Sequence, residues 1–160
     1  MQQKLKLDLE TFSLRDAPGH LIRLCQQRAV DLFTEEVGTK GPTPRQFAVL
    51  ITVLQKPGLS QTELVKASGI DRSTLTEVLR RMIDHGMISK SRTRQDQRAN
   101  AIYLTSKGEH VVENHYLAVT RAQERIMASI EDVGCKTPLQ VLRALAGYDY
   151  DNLQDHSVET

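Results

Sequence analysis

The stretch that decides the fold is GIDRSTLTEVLRRMIDHGMI, which occupies residues 69–88. Asp71 stands where an N-cap would begin a helix, and Gly69 supplies a tight turn before it. Apolar side chains then recur at positions i, i+3, i+4, i+7 and i+8, which is the core-facing stripe of an amphipathic helix. The stretch therefore predicts the second helix of a helix-turn-helix unit. Its predicted buried stripe consists of Leu75, Val78, Leu79, Met82 and Ile83.

Two capping boxes upstream predict two more helices. Ser60 and Glu63 place a hydroxyl and a carboxylate three residues apart, so that each can satisfy a backbone N–H at a helix start. This pair opens a short helix that ends at the turn described above. Thr43 and Gln46 repeat the arrangement with an amide. They open a helix whose predicted buried stripe consists of Phe47, Leu50, Ile51 and Leu54.

Longer helices are predicted on both sides of this region. The first has Pro18 in its first turn and ends at Gly38. Its apolar stripe consists of Leu21, Cys25, Ala29, Leu32 and Phe33. Thr105 caps a second long helix, which runs to about residue 130, and Thr137 caps a last one. The stripe of the second long helix consists of Val112, Tyr116, Val119, Ile126, Met127 and Ile130.

The sequence period changes after Gly86. Residues 87–92 and 101–104 have the pattern of two short strands, and a polar, basic loop at 93–100 separates them. This order predicts a β-hairpin. The predicted fold class is therefore mainly α with a small β-hairpin wing, a winged helix-turn-helix domain with helical regions contributed by both termini.

Charge is segregated locally rather than overall. The 160 residues include 21 basic and 20 acidic side chains, and the net charge of +1 does not by itself indicate a nucleic-acid binder. Residues 60–105, however, carry eight basic and five acidic residues. A basic loop beside a recognition helix is typical of a probe of the minor groove or the DNA backbone. The basic residues that concentrate in the predicted hairpin, against the single acidic Asp96, are Lys90, Arg92, Arg94 and Arg98.

Other functional classes lack their motifs. The sequence has no glycine-built phosphate loop, no HExxH and no GxSxG elbow, so neither an enzyme nor a cofactor is predicted. His110 and His115 lie five residues apart and do not share a helix face, so no metal site is expected. The longest apolar stretch, residues 47–54, is shorter than the roughly 18 residues of a membrane span. The charged N-terminus does not resemble a signal peptide. We expect a cytoplasmic protein with no membrane partner.

The second helix of the helix-turn-helix carries polar side chains on its exposed face. They are Ser73, Glu77 and Arg80, with Thr74 and Thr76 on the flanks. Hydroxyls can bond bases or phosphates, and arginine can bond guanine through two N–H groups. Glu77 leaves two alternatives open. It can accept from a cytosine amino group, or it can pair with Arg80 or the next arginine.

Residues 59–108 resemble the winged helix of the multiple-antibiotic-resistance regulator (MarR) family. The resemblance rests on residues 69–88 and on DQRANAIYLTSKG, residues 96–108. The latter fits the family's wing pattern of Asp-x-Arg, five residues, Leu-Thr and a nearby Gly. The long helices on both sides match as well, so the resemblance covers nearly the whole chain. It implies a homodimer whose terminal helices interlock and whose two winged helices straddle a palindromic double-stranded DNA operator.

The resemblance also implies how the chain is divided. A single domain spans residues 1–160, in which residues 42–105 form the DNA-binding winged helix-turn-helix. Residues 1–38 and 106–155 form the helical dimerisation region. The implied function is a ligand-responsive transcriptional regulator, and repression is the family default.

The DNA-contact residues follow from the same match. Arg98 corresponds to the family's wing-tip arginine, and Asp96 is expected to orient it through an ion pair. The full set of candidates for DNA contact consists of Gln61, Arg72, Ser73, Thr74, Thr76, Arg80, Arg94 and Arg98.

The resemblance further implies a small effector that releases the DNA. The expected ligand is an aromatic carboxylate or its acyl-coenzyme A thioester, which an arginine or histidine facing a partly apolar cleft would bind. Each candidate can also be a solvated or interface residue. The candidates are His20, Arg23, Arg28, Gln46, Phe47, His115 and Tyr116.

Two alternative functions remain open. Oxidant-sensing members of the family use a cysteine in the N-terminal part of the chain, where Cys25 lies. Because Cys25 falls on a predicted apolar stripe, we expect a buried and inert thiol instead. A winged helix can also bind protein rather than DNA, since a fold alone does not set function. The basic hairpin argues against that second alternative.

Overall fold

Within residues 18–92 and 100–128, which the computed structural model describes, the chain forms five α-helices and one antiparallel β-hairpin. The predicted order of elements is confirmed there. The predicted last helix lies outside the described residues, as does the hairpin tip at 93–99. The elements are α1 (Pro18–Val37), α2 (Pro44–Gln55), α3 (Gln61–Ser68), α4 (Arg72–Asp84), β1 (Ile88–Arg92), β2 (Asn100–Leu104) and α5 (Ser106–Ala128).

Contacts within the chain divide it into two units. Residues 32–126 form one unit, which holds the end of α1, all of α2 to α4, the hairpin and most of α5. The other comprises residues 1–31 and 127–160, of which the structure describes the helical residues 18–31 and 127–128. In the described ranges, no helix combines the length and the apolar character that crossing a membrane requires.

Local capping explains where α2 and α3 begin. The Thr43 hydroxyl accepts from the backbone N–H of Gln46 at 3.3 Å, and Gln46 Oε1 accepts from the Thr43 N–H at 2.9 Å. Ser60 and Glu63 form the same reciprocal pair, at 3.3 and 2.8 Å. Gly69 follows α3 with a φ of 68°, a left-handed conformation that glycine adopts without steric cost. Both predicted capping boxes and the predicted turn are confirmed.

The apolar core of the 32–126 unit gathers side chains from the helices and the hairpin. Burial of each such side chain contributes roughly 1.5–3 kcal/mol relative to leaving it exposed. Three of the five residues in the stripe predicted for α4 are among the most deeply buried, so the orientation of that helix is confirmed. The most deeply buried large side chains are Leu32, Val49, Leu50, Val53, Leu64, Leu75, Leu79, Met82 and Ile102.

Two residues at the ends of predicted stripes are exposed instead of buried. Leu54 is 44% exposed and Ile83 is 38% exposed. Because α2 packs against α3, α4 and β2, the face of α2 that is buried includes Val49 and Val53 and leaves out Leu54. Leu54 and Ile83 each lie one residue before the end of their helix, where fewer neighbours cover the side chain.

Tyr116, a member of the apolar stripe predicted for α5, is not buried in this chain. Its side chain is 54% exposed, and the next residue, Leu117, is 70% exposed. The buried positions of α5 are Gly108, Val112 and Ala122. The helix therefore turns its smaller side chains inward and leaves this larger pair facing solvent.

The predicted burial of Cys25 is wrong as well, because its thiol is exposed. The core lies within residues 32–126, and α1 joins it through Phe33 and Val37 near the C-terminal end of the helix. The earlier part of α1 is largely uncovered in this chain, and even the apolar Ile22 is 46% exposed.

The middle of β2 is attached to the loop between α2 and α3. β1 and β2 pair in antiparallel register, with Lys90 opposite Ile102. Leu59 forms an isolated antiparallel bridge to Ile102, whose N–H donates to the Leu59 carbonyl at 3.0 Å. The Ile102 carbonyl accepts from the N–H of Gly58 at 2.9 Å. The predicted hairpin is confirmed. β2 makes backbone hydrogen bonds to β1 on one side and to the loop between α2 and α3 on the other.

Side-chain bonds join the end of α4 to the start of α5. Thr105 Oγ1 donates to the carbonyl of Gly86 at 2.6 Å, and Lys107 Nζ donates to the carbonyl of His85 at 2.8 Å. Thr105 Oγ1 also accepts from the N–H of Gly108 at 3.2 Å, which makes it the cap of α5 as predicted. Thr105 therefore binds the segment that follows α4 and also caps the first turn of α5.

Ion pairs connect the last turn of α1 to α5. Arg121 Nε lies 2.9 Å from Glu36 Oε2, and Arg125 binds Glu36 at 3.0 Å and Glu35 at 2.7 Å. Hydrogen bonds from Arg121 and then Arg125 hold the pKa of Glu36 below its usual value. Exposed pairs of this kind are individually weak, and the shared carboxylate makes them a network.

Gly108 lies so close to the residue before β1 that an added Cβ would overlap the carbonyl oxygen of Met87. Gly108→Ala should therefore push α5 away from the hairpin and lower the free energy of unfolding by about 1–3 kcal/mol. Gly19→Ala is the matched control, since a Cβ there meets nothing within 4 Å and helical alanine is favoured over glycine. Urea unfolding followed by circular dichroism measures both variants. Equal midpoints for the two would contradict the close approach.

Candidate nucleic-acid interface

The first turn of α4 is closed by Asp71. Its Oδ1 accepts from the backbone N–H of Thr74 at 2.9 Å and from the Ser73 hydroxyl at 2.6 Å. Hydrogen bonds from the side chain of Ser73, and then from the side chain and backbone of Thr74, hold the pKa of Asp71 well below its usual range. The cap therefore carries its negative charge where the helix dipole is positive.

Hydrogen bonds between side chains connect α3 to α4. Gln61 Nε2 donates to Thr76 Oγ1 at 2.6 Å, and Arg72 Nη2 donates to Thr62 Oγ1 at 2.9 Å. The Thr76 hydroxyl in turn donates to the backbone carbonyl of Arg72 at 2.7 Å. Two of the predicted DNA-contact residues, Gln61 and Arg72, thus hold the two helices of the helix-turn-helix in place.

Four charged side chains form a cluster on the exposed face of α4. Arg80 donates to both oxygens of Glu77, from Nε at 3.1 Å and from Nη2 at 2.9 Å, and Arg80 Nη1 donates to Asp84 at 3.1 Å. Arg81 Nε donates to Glu77 Oε1 at 2.8 Å. We call Glu77, Arg80, Arg81 and Asp84 the α4 charge cluster. Of the two alternatives left open for Glu77, pairing with arginine is present in this structure.

The α4 charge cluster has consequences for protonation. Hydrogen bonds from Arg80 and then Arg81 lower the pKa of Glu77 to about 2 from a usual value of 4.5. Glu77 in turn raises the pKa of Arg80. The side chains of Arg80 and Glu77 remain 61% and 46% exposed. Glu77 and Arg80 are therefore both charged near neutral pH and accessible to a ligand.

Asp84 and Thr62, which bind predicted DNA-contact residues, were not among the predicted site residues. Asp84 lies four residues after Arg80, and that spacing on a helix is the signal that would have predicted the ion pair. Thr62 had no such signal, because its contact with Arg72 depends on how α3 crosses α4.

Comparison with known proteins decides the family. The model of the MarR family matches residues 43–99. The Escherichia coli transcriptional regulator HosA is 30% identical over 100 residues, which cover 62% of this chain and 73% of HosA. The chain belongs to the MarR family. It is therefore a transcriptional regulator, and its family is not one of enzymes.

Solved MarR-like structures agree with the fold. PcaV from Streptomyces coelicolor, in complex with its natural ligand, has a TM-score of 0.76 and 30% identity over 85% of this chain and 96% of its own. The repressor CouR bound to a 23-mer DNA duplex has a TM-score of 0.70 and 28% identity, covering 84% of this chain and 93% of its own. CouR has also been solved bound to p-coumaroyl-CoA, with 26% identity and coverages of 89% and 96%.

The wing of this MarR-family chain is described only in part. Lys90 is exposed on β1, at the position opposite Ile102. Arg94, Asp96 and Arg98 lie outside the described residues. Their DNA-contact and orienting roles stay predictions.

The predicted effector residues on α1 lie outside the unit that holds the core. His20 is partly buried, and Arg23 and Arg28 are exposed along the helix. All three belong to the unit formed by residues 1–31 and 127–160. Their effector role stays a prediction.

The other predicted effector residues lie in the 32–126 unit. Gln46 is engaged through its Oε1 in the cap of α2, and Phe47 is buried with its ring edge-on to Phe33 at 6.5 Å between centroids. His115 is partly buried, with Nδ1 2.9 Å from the carbonyl of Val111. Tyr116 was described above as exposed. His115 and Tyr116 keep polar side-chain atoms outside any cap or the core, and Gln46 uses its Oε1, but not its Nε2, in the cap.

Acidification should loosen the start of α4. Because the pKa of Asp71 is lower in the folded protein than in the unfolded chain, its contribution to stability is complete above the unfolded value and is lost as the pH falls toward the folded one. Asp71→Asn keeps a good capping residue and removes the titrating group. We therefore expect the melting temperature of Asp71→Asn to fall less than that of the wild type between about pH 5 and about pH 2. Identical pH profiles in thermal melts would contradict the assignment.

Proposed function

We propose that this MarR-family regulator is a cytoplasmic repressor that binds a palindromic DNA operator as a homodimer and is released by a small effector. The observation that carries the proposal is the exposed polar face of α4, held at a fixed rotation by its buried stripe and flanked by the hairpin. Half-sites would lie about one helical turn of DNA apart.

The α4 face supports DNA binding through its residue types. Ser73 and Arg80 are exposed, Thr74 is partly buried on the flank, and Thr76 is exposed beside Gln61. In the proposed complex, α4 enters the major groove and the basic tip that includes Arg98 contacts the backbone or minor groove. The similar repressor CouR was solved bound to a 23-mer DNA duplex, which supports duplex DNA as the partner.

Exposed apolar side chains on two helices support the proposed dimer. Leu117 on α5 is 70% exposed, and Ile22, Leu24 and Val30 on α1 are each more than a third exposed. Apolar side chains that a lone chain leaves in water are typical of protein–protein contacts. We propose that residues 1–38 and 106–155 form the dimerisation region, with residues 42–105 as the DNA-binding region.

The proposed effector is an aromatic carboxylate or its acyl-coenzyme A thioester. CouR, solved with p-coumaroyl-CoA, supports the thioester, and PcaV, solved with its natural ligand, supports the presence of a ligand site in such proteins. Among the candidate contacts, Arg23 and Arg28 on α1 are exposed, and His115 and Tyr116 on α5 keep polar side-chain atoms outside any helix cap. The exposure of Cys25 favours a second candidate, a thiol sensor that releases DNA on oxidation.

Loss of arginine on the helix and on the wing should affect DNA binding differently. Arg80→Ala should relax preference at particular base pairs by roughly 5- to 150-fold. Arg98→Ala should weaken binding across many sequences and make it less sensitive to salt, because a phosphate contact is lost. Anisotropy titrations of duplexes selected from a random library, at several salt concentrations, measure both. Unchanged binding by both variants would remove this assignment, and a wild type with no affinity for any duplex would remove the function.

A matching effector should raise the melting temperature, because a ligand that binds only the native state stabilises it. We expect a thermal-shift screen of aromatic acids and acyl thioesters to give hits, and those hits to release the selected duplex. Simple aliphatic acids are the control set. Release by peroxide in the wild type but not in Cys25→Ser, with no hit among the acids, would favour the thiol sensor instead.

A further inference from the structure

The hydroxyl groups on the exposed face of α4 have already donated their hydrogens within the protein. The Ser73 hydroxyl donates to the Asp71 carboxylate, which can only accept, and the Thr76 hydroxyl donates to the carbonyl of Arg72. Each hydroxyl carries a single hydrogen, and Thr76 Oγ1 already accepts from Gln61 Nε2. What these groups offer to a ligand are therefore their remaining acceptor lone pairs. Ser73, Thr76 and Glu77 fall within one face of the helix, at i, i+3 and i+4. We call these three residues the acceptor surface.

Glu77 keeps acceptor capacity inside the α4 charge cluster. Its Oε1 accepts from Arg80 and Arg81, and its Oε2 accepts from Arg80 once. A carboxylate offers about four lone-pair positions, so one on Oε2 is left for a further donor. Arg80 uses three of its five N–H donors in the cluster and keeps one on each terminal nitrogen. The face therefore presents acceptors with a donor pair beside them.

Phosphate oxygens are a poor match for the acceptor surface, because they also only accept hydrogen bonds. Phosphate attraction is weakened further because Glu77 and Asp84 balance the charges of Arg80 and Arg81. Electrostatic attraction to phosphates supplies most of the affinity for DNA of arbitrary sequence. The charge cluster thus withholds two arginines from that sequence-independent binding.

The major groove contains two kinds of hydrogen-bond donor on base edges, the N4 amino group of cytosine and the N6 amino group of adenine. We propose that the acceptor surface of α4 reads these amino groups and that Glu77 is the residue that determines this specificity. The inference rests on the proposed function, in which α4 enters the major groove of duplex DNA. A guanine–cytosine pair suits the face best, since cytosine N4 can donate to Glu77 while guanine O6 and N7 accept from Arg80.

The test compares wild type with Glu77→Gln on duplexes selected by the wild type from a random library. The glutamine has the same shape, loses the charge, and can donate as well as accept. Cytosine is replaced by 2-pyrimidinone and adenine by purine, one position at a time, so that each substitution deletes one major-groove amino group. Anisotropy titrations then give the dissociation constant for each duplex and for an unselected duplex.

We expect the wild type to lose about tenfold in affinity when an amino group read by α4 is deleted. Glu77→Gln should be less sensitive than the wild type at one or more such positions in each half-site, because a neutral amide oxygen is a weaker acceptor than a carboxylate. It should also bind unselected duplex about tenfold more tightly, with a salt dependence steeper by about one unit of slope, because the arginines are released toward phosphates.

Two control variants separate charge from position. Glu113→Gln removes the same charge from an exposed site on α5 and should leave the ratio of selected to unselected binding unchanged. Ser73→Ala removes an acceptor with no change of charge, and it should lose sensitivity to an amino group without tighter binding to unselected duplex. Thermal melts confirm that each variant is folded, which is expected because exposed ion pairs contribute little to stability.

Two results would overturn the inference while leaving the proposed function in place. One is a wild type that binds its selected duplex and tolerates deletion of every major-groove amino group. The other is a Glu77→Gln variant whose ratio of selected to unselected affinity equals that of the wild type. A wild type that binds no duplex would instead overturn the proposed function, and the inference with it.

Discussion

The burial of three apolar side chains on α4 fixes which face of that helix meets solvent. Leu75, Leu79 and Met82 are fully buried in the core of the 32–126 unit. Exposing them would cost several kcal/mol, which is comparable to the whole stability of a small domain. The helix therefore cannot rotate about its axis while the domain stays folded. The polar residues on the opposite face owe their position to this burial, although none of them takes part in it.

Hydrogen bonds also hold both ends of α4. Asp71 caps the first turn, and the carbonyl of His85 after the last turn accepts from Lys107. Along one side, Gln61 and Arg72 bind across to and from α3. These two residues, which are predicted to contact DNA, thus hold α3 and α4 together within the protein. Their substitution would disturb the angle between helices together with any contact to DNA, so they are poor probes of recognition.

Most of the fold was predictable because the signals are local. Capping boxes such as that of Thr43 and the hydrophobic spacing within α4 depend on residues three or four apart, and the structure confirms them. The burial of Leu54 and Cys25 was predicted wrongly, because a helix has several possible inward faces and only its neighbours select one. The hydrogen bond from Gln61 to Thr76 was not predictable for the same reason: it spans two helices whose crossing is set by the core.

Close contacts restrict movement at the joint between α4 and α5. Thr105 and Lys107 bind the segment after α4, and Gly108 leaves no room for α5 to slide toward it. α5 is 23 residues long, about 35 Å, so a tilt of one degree at this pivot sweeps its far end through about 0.6 Å. Conversely, moving the far end of α5 by about 1 Å changes the tilt of the helix at this joint by only about 2 degrees.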